Sequence, residues 1–164
     1  MGWWLFFFIS VSIYAQDTPL TPFGKLVGGH WVAEGTWSNG ASVRWMTTFE
    51  WGLNGKIVKV KHYGDDWNDR GEFGLRNEGI RAWDAEQKKV RFWEFDVLGG
   101  IVTGDVIVDK DTIHYEYEYP VGEKPTRLRE SWYRRDADTY DFRISALRDK
   151  IWTVMLHTVY KRHF

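Results

Sequence analysis

Glu130 has the sharpest chemical prospect in this chain. It lies between Leu128 and Trp132, and a strand there would turn all three to one otherwise apolar face. A carboxyl on such a face loses hydration and its pKa climbs. It then suits a general acid or an acceptor for a polar ligand group. The ordinary alternative is a carboxylate paired to an Arg in a structural network. His62 comes second. It shares a face with Thr47 and offers a base or a ligand donor, although a satisfied core histidine is the commoner role. Arg81 and Glu94 come third. They share a face if Trp83, Val90 and Phe92 point inward, and a structural ion pair is their ordinary reading. If Ile80, Trp93 and Phe95 point inward instead, Glu78 and Arg76 go with them. Either choice sets charge among apolar groups, which is costly without a partner or water. Trp51, Tyr117 and Trp132 would complete an aromatic wall. The candidate ligand-binding set is therefore Thr47, Trp51, His62, Arg81, Glu94, Tyr117, Glu130 and Trp132, with no catalytic residue assigned.

The elements that must hold these groups start from Ser42 to Tyr63. Asn54-Gly55 reads as a two-residue hairpin turn, because both types tolerate positive φ. Trp51 then lies opposite Val58, Phe49 opposite Val60 and Thr47 opposite His62. The other face pairs Glu50 with Lys59 and Thr48 with Lys61. One apolar face and one ion-paired face make the register self-consistent.

The same rhythm continues along the chain. His30 to Trp37 precedes the hairpin. Glu72 to Trp83 pairs with Lys89 to Val97, and Ile101 to Val108 with Thr112 to Tyr119. Thr126 to Arg135 pairs with Thr139 to Leu147, and Ile151 to Tyr160 comes last, its even positions Trp152, Val154 and Leu156 reading as the buried ones. Gly104 would lie under Tyr117, an aromatic covering a strand glycine. Asp105 would face Glu116, an unfavourable pair calling for a nearby Arg or salt. Thr21-Pro22-Phe23 starts a single helical turn, with Thr21 as its cap, that ends at Gly28-Gly29 and plugs one end. About ten strands joined by short turns predict an all-β, antiparallel, up-and-down barrel, closed because an open meander would leave two edges.

Composition narrows the function. The 164 residues suffice for one domain, and 27% charged with 43% hydrophobic content is ordinary for a globule. Eleven Trp, eight Tyr and ten Phe imply an aromatic core or aromatic surfaces that meet a ligand. A net charge of -1 argues against phosphate-driven nucleic-acid binding and against a polybasic membrane anchor. With no Cys, a disulfide framework, a thiolate nucleophile and a Cys-based zinc site are excluded. His30, His114, His157 and His163 show no metal-ligand spacing, and no nucleophile elbow or phosphate loop occurs. Asp65, Asp66 and Asp69 lack the calcium-loop pattern and read as a solvated loop. The Arg127, Arg129, Arg134 and Arg135 cluster offers an anion site, but charge blunting an exposed strand edge is the commoner reading. No metal and no cofactor are expected.

Met1 to Ala15 carries no charge and holds an apolar run from Leu5 to Ile13, with a small residue at Ala15. It has the form of a secretory signal without the usual basic start; a buried helix or a membrane anchor is the alternative. Residues 1–15 are thus expected to be a signal peptide, 16–22 a lead-in and 23–164 one barrel domain, exported to the periplasm or the extracellular space.

Phe23-Gly24-Lys25-Leu26-Val27-Gly28-Gly29-His30-Trp31 resembles the entry to lipocalin-like (calycin) barrels, where a short helix leads to a Gly and a Trp on the first strand. Ile80-Arg81-Ala82-Trp83-Asp84 and the terminal Tyr160-Lys161-Arg162 are similar to a group of exported bacterial lipocalin-like proteins of uncharacterised function. The resemblance spans residues 23–162. It implies an antiparallel barrel with one open end and an internal cavity, and it supplies no catalytic residues.

The expected function is an exported barrel binding a small, partly apolar molecule, with no nucleic-acid partner and no stable membrane insertion of the mature chain. One alternative is an acid/base enzyme using Glu130 and His62. Another is an interaction module, for carbohydrate or protein, built on a surface platform of Trp37, Trp67 and Trp93.

Overall fold

Strands that alternate apolar and polar residues need a wall with one dry face and one wet face. Ten of them meet that need by closing on themselves. The computed structural model describes residues 18–65, 72–121 and 124–164. Its strands are β1 (His30–Thr36), β2 (Ser42–Gly52), β3 (Ile57–Gly64), β4 (Gly74–Asp84), β5 (Lys89–Asp96), β6 (Ile101–Asp109), β7 (Thr112–Val121), β8 (Lys124–Arg134), β9 (Thr139–Arg148) and β10 (Ile151–His163). Each pairs antiparallel with the next, and β1 pairs with β10 to close the barrel, Trp31 opposite Arg162. The expected signal segment lies outside the described residues.

The β2–β3 register is the one the hairpin predicts, from Trp51 opposite Val58 to Thr47 opposite His62. The turn is longer than expected. Leu53, Asn54 and Gly55 all take left-handed backbone, with φ 49°, 53° and 80°, and Leu53 to Lys56 leave the ladder. One extra residue drops out on each side, so the loop stays centred on Asn54-Gly55 and the register survives.

Closure removes the edge that the arginine cluster was expected to guard. Arg127 and Arg129 instead hold Glu116, at 2.7 and 2.5 Å, and Arg135 holds Asp141 at 2.6 Å. Asp105 does face Glu116. Lys89 relieves Asp105 at 2.8 Å, while the two arginines relieve Glu116.

Two bulges re-aim side chains. In β4 the register shifts beside Leu75–Asn77, and both Arg76 and Asn77 reach the interior. In β10 it shifts between Val154 and Leu156. Met155 therefore turns inward, and Val154 is 47% exposed rather than buried as the even-position reading had it. Beyond the bulge the alternation holds, and Leu156, Thr158 and Tyr160 are buried.

The plug is one 3-10 turn, Thr21–Lys25, capped at Leu20 rather than Thr21. The Thr21 hydroxyl accepts the Thr18 N–H instead, at 3.0 Å. Phe23 and Leu26 are fully buried, and Lys25 ties the plug to Asp111 at 2.6 Å. Gly28 and Gly29, with φ 88° and 69°, swing the chain into β1. There the Trp31 indole N–H donates to the Leu26 carbonyl at 2.8 Å, and Arg162 lies 4.4 Å over its ring. From Trp31 an aromatic chain climbs the interior. Tyr140 meets Trp31 edge-on, Trp132 packs on Tyr140 and stacks on Tyr160 at 4.4 Å, and Phe142, Trp45 and Trp37 follow.

Gly104 sits opposite Tyr117 as predicted. A Cβ there would stand 2.2 Å from the Glu116 carbonyl oxygen and 2.7 Å from the Phe92 ring. Gly24 has nothing nearer than 3.7 Å. We expect Gly104→Ala to cost about 2–4 kcal/mol in urea unfolding and Gly24→Ala to stay within about 0.5 kcal/mol. Equal midpoints for the two variants would contradict this packing.

Candidate functional site

Alternation along the wall sets which groups share the interior, and the ends of the strands set their depth. The half nearest the plug is filled by Trp31, Phe49, Val58, Phe92, Ile113 and Tyr140. The other half holds a cavity of about 140 Å³. Its lining is Trp37, Trp45, Thr47, His62, Arg76, Asn77, Glu94, Asp96, Val102, Tyr117, Tyr119, Leu128, Glu130, Trp132, Phe142, Ile144, Met155 and Tyr160.

Thr47, His62, Glu94, Tyr117, Glu130 and Trp132, all expected in the site, line this cavity. Arg81 lies behind it. It is 4% exposed, ion-paired to Glu94, and seated over the rings of Phe92 and Tyr115 at 5.4 and 4.9 Å. Trp51 does not reach the cavity. It follows the inward face to the plug end, where it is 41% exposed and its ring would lie 3.7 Å from a Cβ on Gly24. There the barrel wall has run out and the plug, not the wall, fills the interior.

The Glu130 carboxylate accepts a hydrogen bond from the Tyr117 hydroxyl at 2.6 Å. Burial lifts its pKa to about 7, and the Glu94 charge adds to the rise. The Tyr117 hydrogen bond and Arg81 pull the other way without cancelling it. Burial also raises Tyr117 well above a normal phenol, with Glu130 adding to it, so Tyr117 stays a donor. Tyr115 beneath is pushed up to about 12 by burial, against the pull of Arg81. On the opposite wall the Thr47 hydroxyl lies 3.0 Å from His62 Nδ1 and 3.5 Å from the Tyr160 hydroxyl. The Trp45 ring meets the His62 ring edge-on at 5.4 Å.

Two glycines make the room. A Cβ on Gly79 would stand 2.9 Å from Glu94 Cγ, and one on Gly104 would stand 2.8 Å from Tyr117 Cβ. The wall thins where the polar side chains must lie.

Several lining residues were missed. Trp45, Tyr119 and Asp96 are one alternation step from Thr47, Tyr117 and Glu94, so the period-two pattern could have found them. Arg76 and Met155 could not be found that way, because each stands at a bulge. The surface-platform reading loses a member: Trp37 lines the cavity, while Trp93 sits on the outer wall with Arg91 at 5.5 Å. Trp67 lies outside the described residues, as do Asp66 and Asp69. Asp65 accepts the Arg44 backbone N–H at 2.9 Å. Among the described residues no group of three His, Asp or Glu is placed to hold a metal ion.

No family model matches the chain, and no curated protein matches it. Solved structures are similar to this chain. The S-type phycobiliprotein lyase CPES from Guillardia theta aligns at TM-score 0.53 and 11% identity, over 87% of this chain and 90% of that one. A de novo designed fluorescence-activating β-barrel aligns at TM-score 0.46 and 12% identity, over 87% and 99%. A barrel named EF1p2_mFAP2b, bound to DFHBI, aligns at 0.45 and 11%, over 88% and 99%. The likeness to the lyase shows a shared antiparallel barrel. The lipocalin-like resemblance likewise holds for the barrel architecture, with no family model behind it.

The folded protein holds the Glu130 proton more tightly than the unfolded chain does. Its stabilising effect is therefore full below about pH 4.5 and lost as pH rises through about 7. Glu130→Gln mimics the protonated form. We expect the variant and the parent to be similar at about pH 5. At about pH 8 the variant should be more stable by about 2 kcal/mol, the full conversion being discounted because the cavity has room for water. Parallel stability curves across that range would show that this carboxyl is not desolvated.

Proposed function

We propose that this protein binds one small, partly apolar molecule inside its barrel. The observation that carries the reading is the cavity: about 140 Å³, walled by Trp45, Trp132, Phe142 and Tyr160, with Glu130, Tyr117, His62 and Thr47 converging on it. A mostly apolar hollow with a few aimed polar groups is the usual form of a ligand site. Its size limits the occupant. Drug-sized ligands need pockets of roughly 300–1,000 Å³, whereas a cavity of about 150 Å³ takes a single benzene ring. The occupant is therefore of single-ring size.

Barrels of this architecture include the phycobiliprotein lyase. That likeness supports a scaffold able to enclose a molecule, and the activity is not carried across. The outer wall carries opposed charges, with Glu50 opposite Lys59 and Glu116 opposite Arg129. Among the described residues no helix is long and apolar enough to cross a membrane. Export to the periplasm or the extracellular space belongs to the same proposal and rests on the apolar run of residues 1–15.

A second reading, acid/base catalysis by Glu130 and His62, has one observation in its favour. The two groups line the same cavity, and Glu130 is held near the pKa that suits proton transfer at neutral pH. Substrate turnover abolished by both Glu130→Gln and His62→Asn would favour it over binding alone.

Native mass spectrometry of protein purified from its own source tests the binding reading. We expect one extra mass of single-ring size that is absent from Ile144→Trp, in which the cavity is filled. No adduct, together with no thermal stabilisation by any member of a single-ring panel, would contradict it.

A further inference from the structure

Among the described residues the charges around the cavity do not cancel, and the remainder identifies a ligand class. Arg81 is committed to Glu94. At the mouth Arg76 and Asp96 contribute one charge of each sign. Arg76 is held by the Glu72 and Leu75 carbonyls, and Asp96 caps the β5–β6 turn through the Leu98 and Gly100 N–H groups at 2.8 and 2.9 Å. Glu130 is the carboxyl left over. Its hydrogen-bond donor is the Tyr117 phenol, which is neutral. It faces a hollow walled by the rings of Trp132, Tyr117 and Tyr160, whose faces are electron-rich.

We propose that the cavity selects a small ring-bearing organic cation, a protonated primary or secondary amine, with its ammonium on the Glu130 carboxylate and its ring among the aromatic walls. This rests on the binding reading above and adds the ligand's charge to it. An anion would meet the spare carboxylate and be repelled. A neutral ring would fill the volume but leave that carboxylate uncompensated when ionised. The inference also fits the environment of Glu130. Arg81 from β4, Glu94 from β5, and Tyr115 and Tyr117 from β7 face it closely. His62, Arg76 and Asp96 stand farther round the cavity. In that setting the carboxyl is pushed up to about 7, so below that pH a cation must displace its proton.

The test is isothermal titration of the full-length protein with benzylamine, benzyl alcohol and benzoate, one ring each and differing in charge. We expect benzylamine to bind at least about tenfold tighter than benzyl alcohol at about pH 8, and benzoate not at all. Below about pH 7 benzylamine should weaken and should release a proton, seen as a binding heat that changes with the buffer's ionisation enthalpy. Benzyl alcohol should show neither effect. Glu130→Gln, checked for its fold by near-UV circular dichroism, should lose the benzylamine preference and keep benzyl alcohol. If benzyl alcohol or benzoate binds as tightly as benzylamine, the charge assignment is overturned while the cavity reading stands. If none of the three binds, both fall.

Discussion

The structure depends on how one buried cation is accommodated. Arg81 sits inside the barrel at 4% exposure, between the solid half and the hollow half. A guanidinium there is tolerable only with a close carboxylate and polarisable surroundings. Glu94 supplies the first, and the rings of Phe92 and Tyr115 supply the second. Removing the carboxylate would strand a buried charge, at a cost of about 3–5 kcal/mol. Geometry follows from that pair. Beside it the strands approach so closely that a Cβ on Gly79 would meet the Trp93 carbonyl oxygen at 2.0 Å, and one on Gly104 the Glu116 carbonyl oxygen at 2.2 Å. The interior above Arg81 is then lined by thin wall and long polar side chains rather than filled.

Below the pair the barrel is a close-packed aromatic core, capped by Phe23 and Leu26 of the plug. Above it the same aromatic chain continues, but its rings stand along one side of a space instead of filling it. Rigid rings in edge-on contact hold the space open, because each is braced by the next. Glu130 and Tyr117 face the space from adjoining strands, and Thr47 and His62 face it from across the barrel. Packing and chemistry thus share one cause. The glycines and the ion pair that let the core tolerate charge also leave the cavity that gives the charge a use.

Much of this was legible in the sequence. The hairpin register from Thr47 opposite His62 to Trp51 opposite Val58 came from alternation alone, because a slip of one residue would have buried Glu50 and Lys59. Glu130 stood out because its strand neighbours Leu128 and Trp132 are apolar. Depth along the barrel was not legible. Trp51 and Thr47 share a face, yet one lies beside the plug and the other in the cavity, and strand tilt and the plug's position decide which. The bulges were hidden too. Nothing in the types Leu75-Arg76-Asn77 or Val154-Met155-Leu156 announces an extra residue, since a bulge answers the curvature of the closed barrel rather than a local preference. The face of β4 and β5 was ambiguous because both faces carried charge, and pairing of Arg81 with Glu94 settled it.

The central claim is that Glu130 is a carboxyl enclosed by protein and left, among the described residues, without a cation of its own. Its ionisation can be followed directly, by carbon-13 NMR of the side-chain carboxyl with selective glutamate labelling and Glu130→Gln for assignment. The account requires a midpoint near 7 in the unliganded protein. A midpoint in the ordinary range, near 4.5, would mean that Glu130 faces water or is already paired, and the account of the cavity would be wrong.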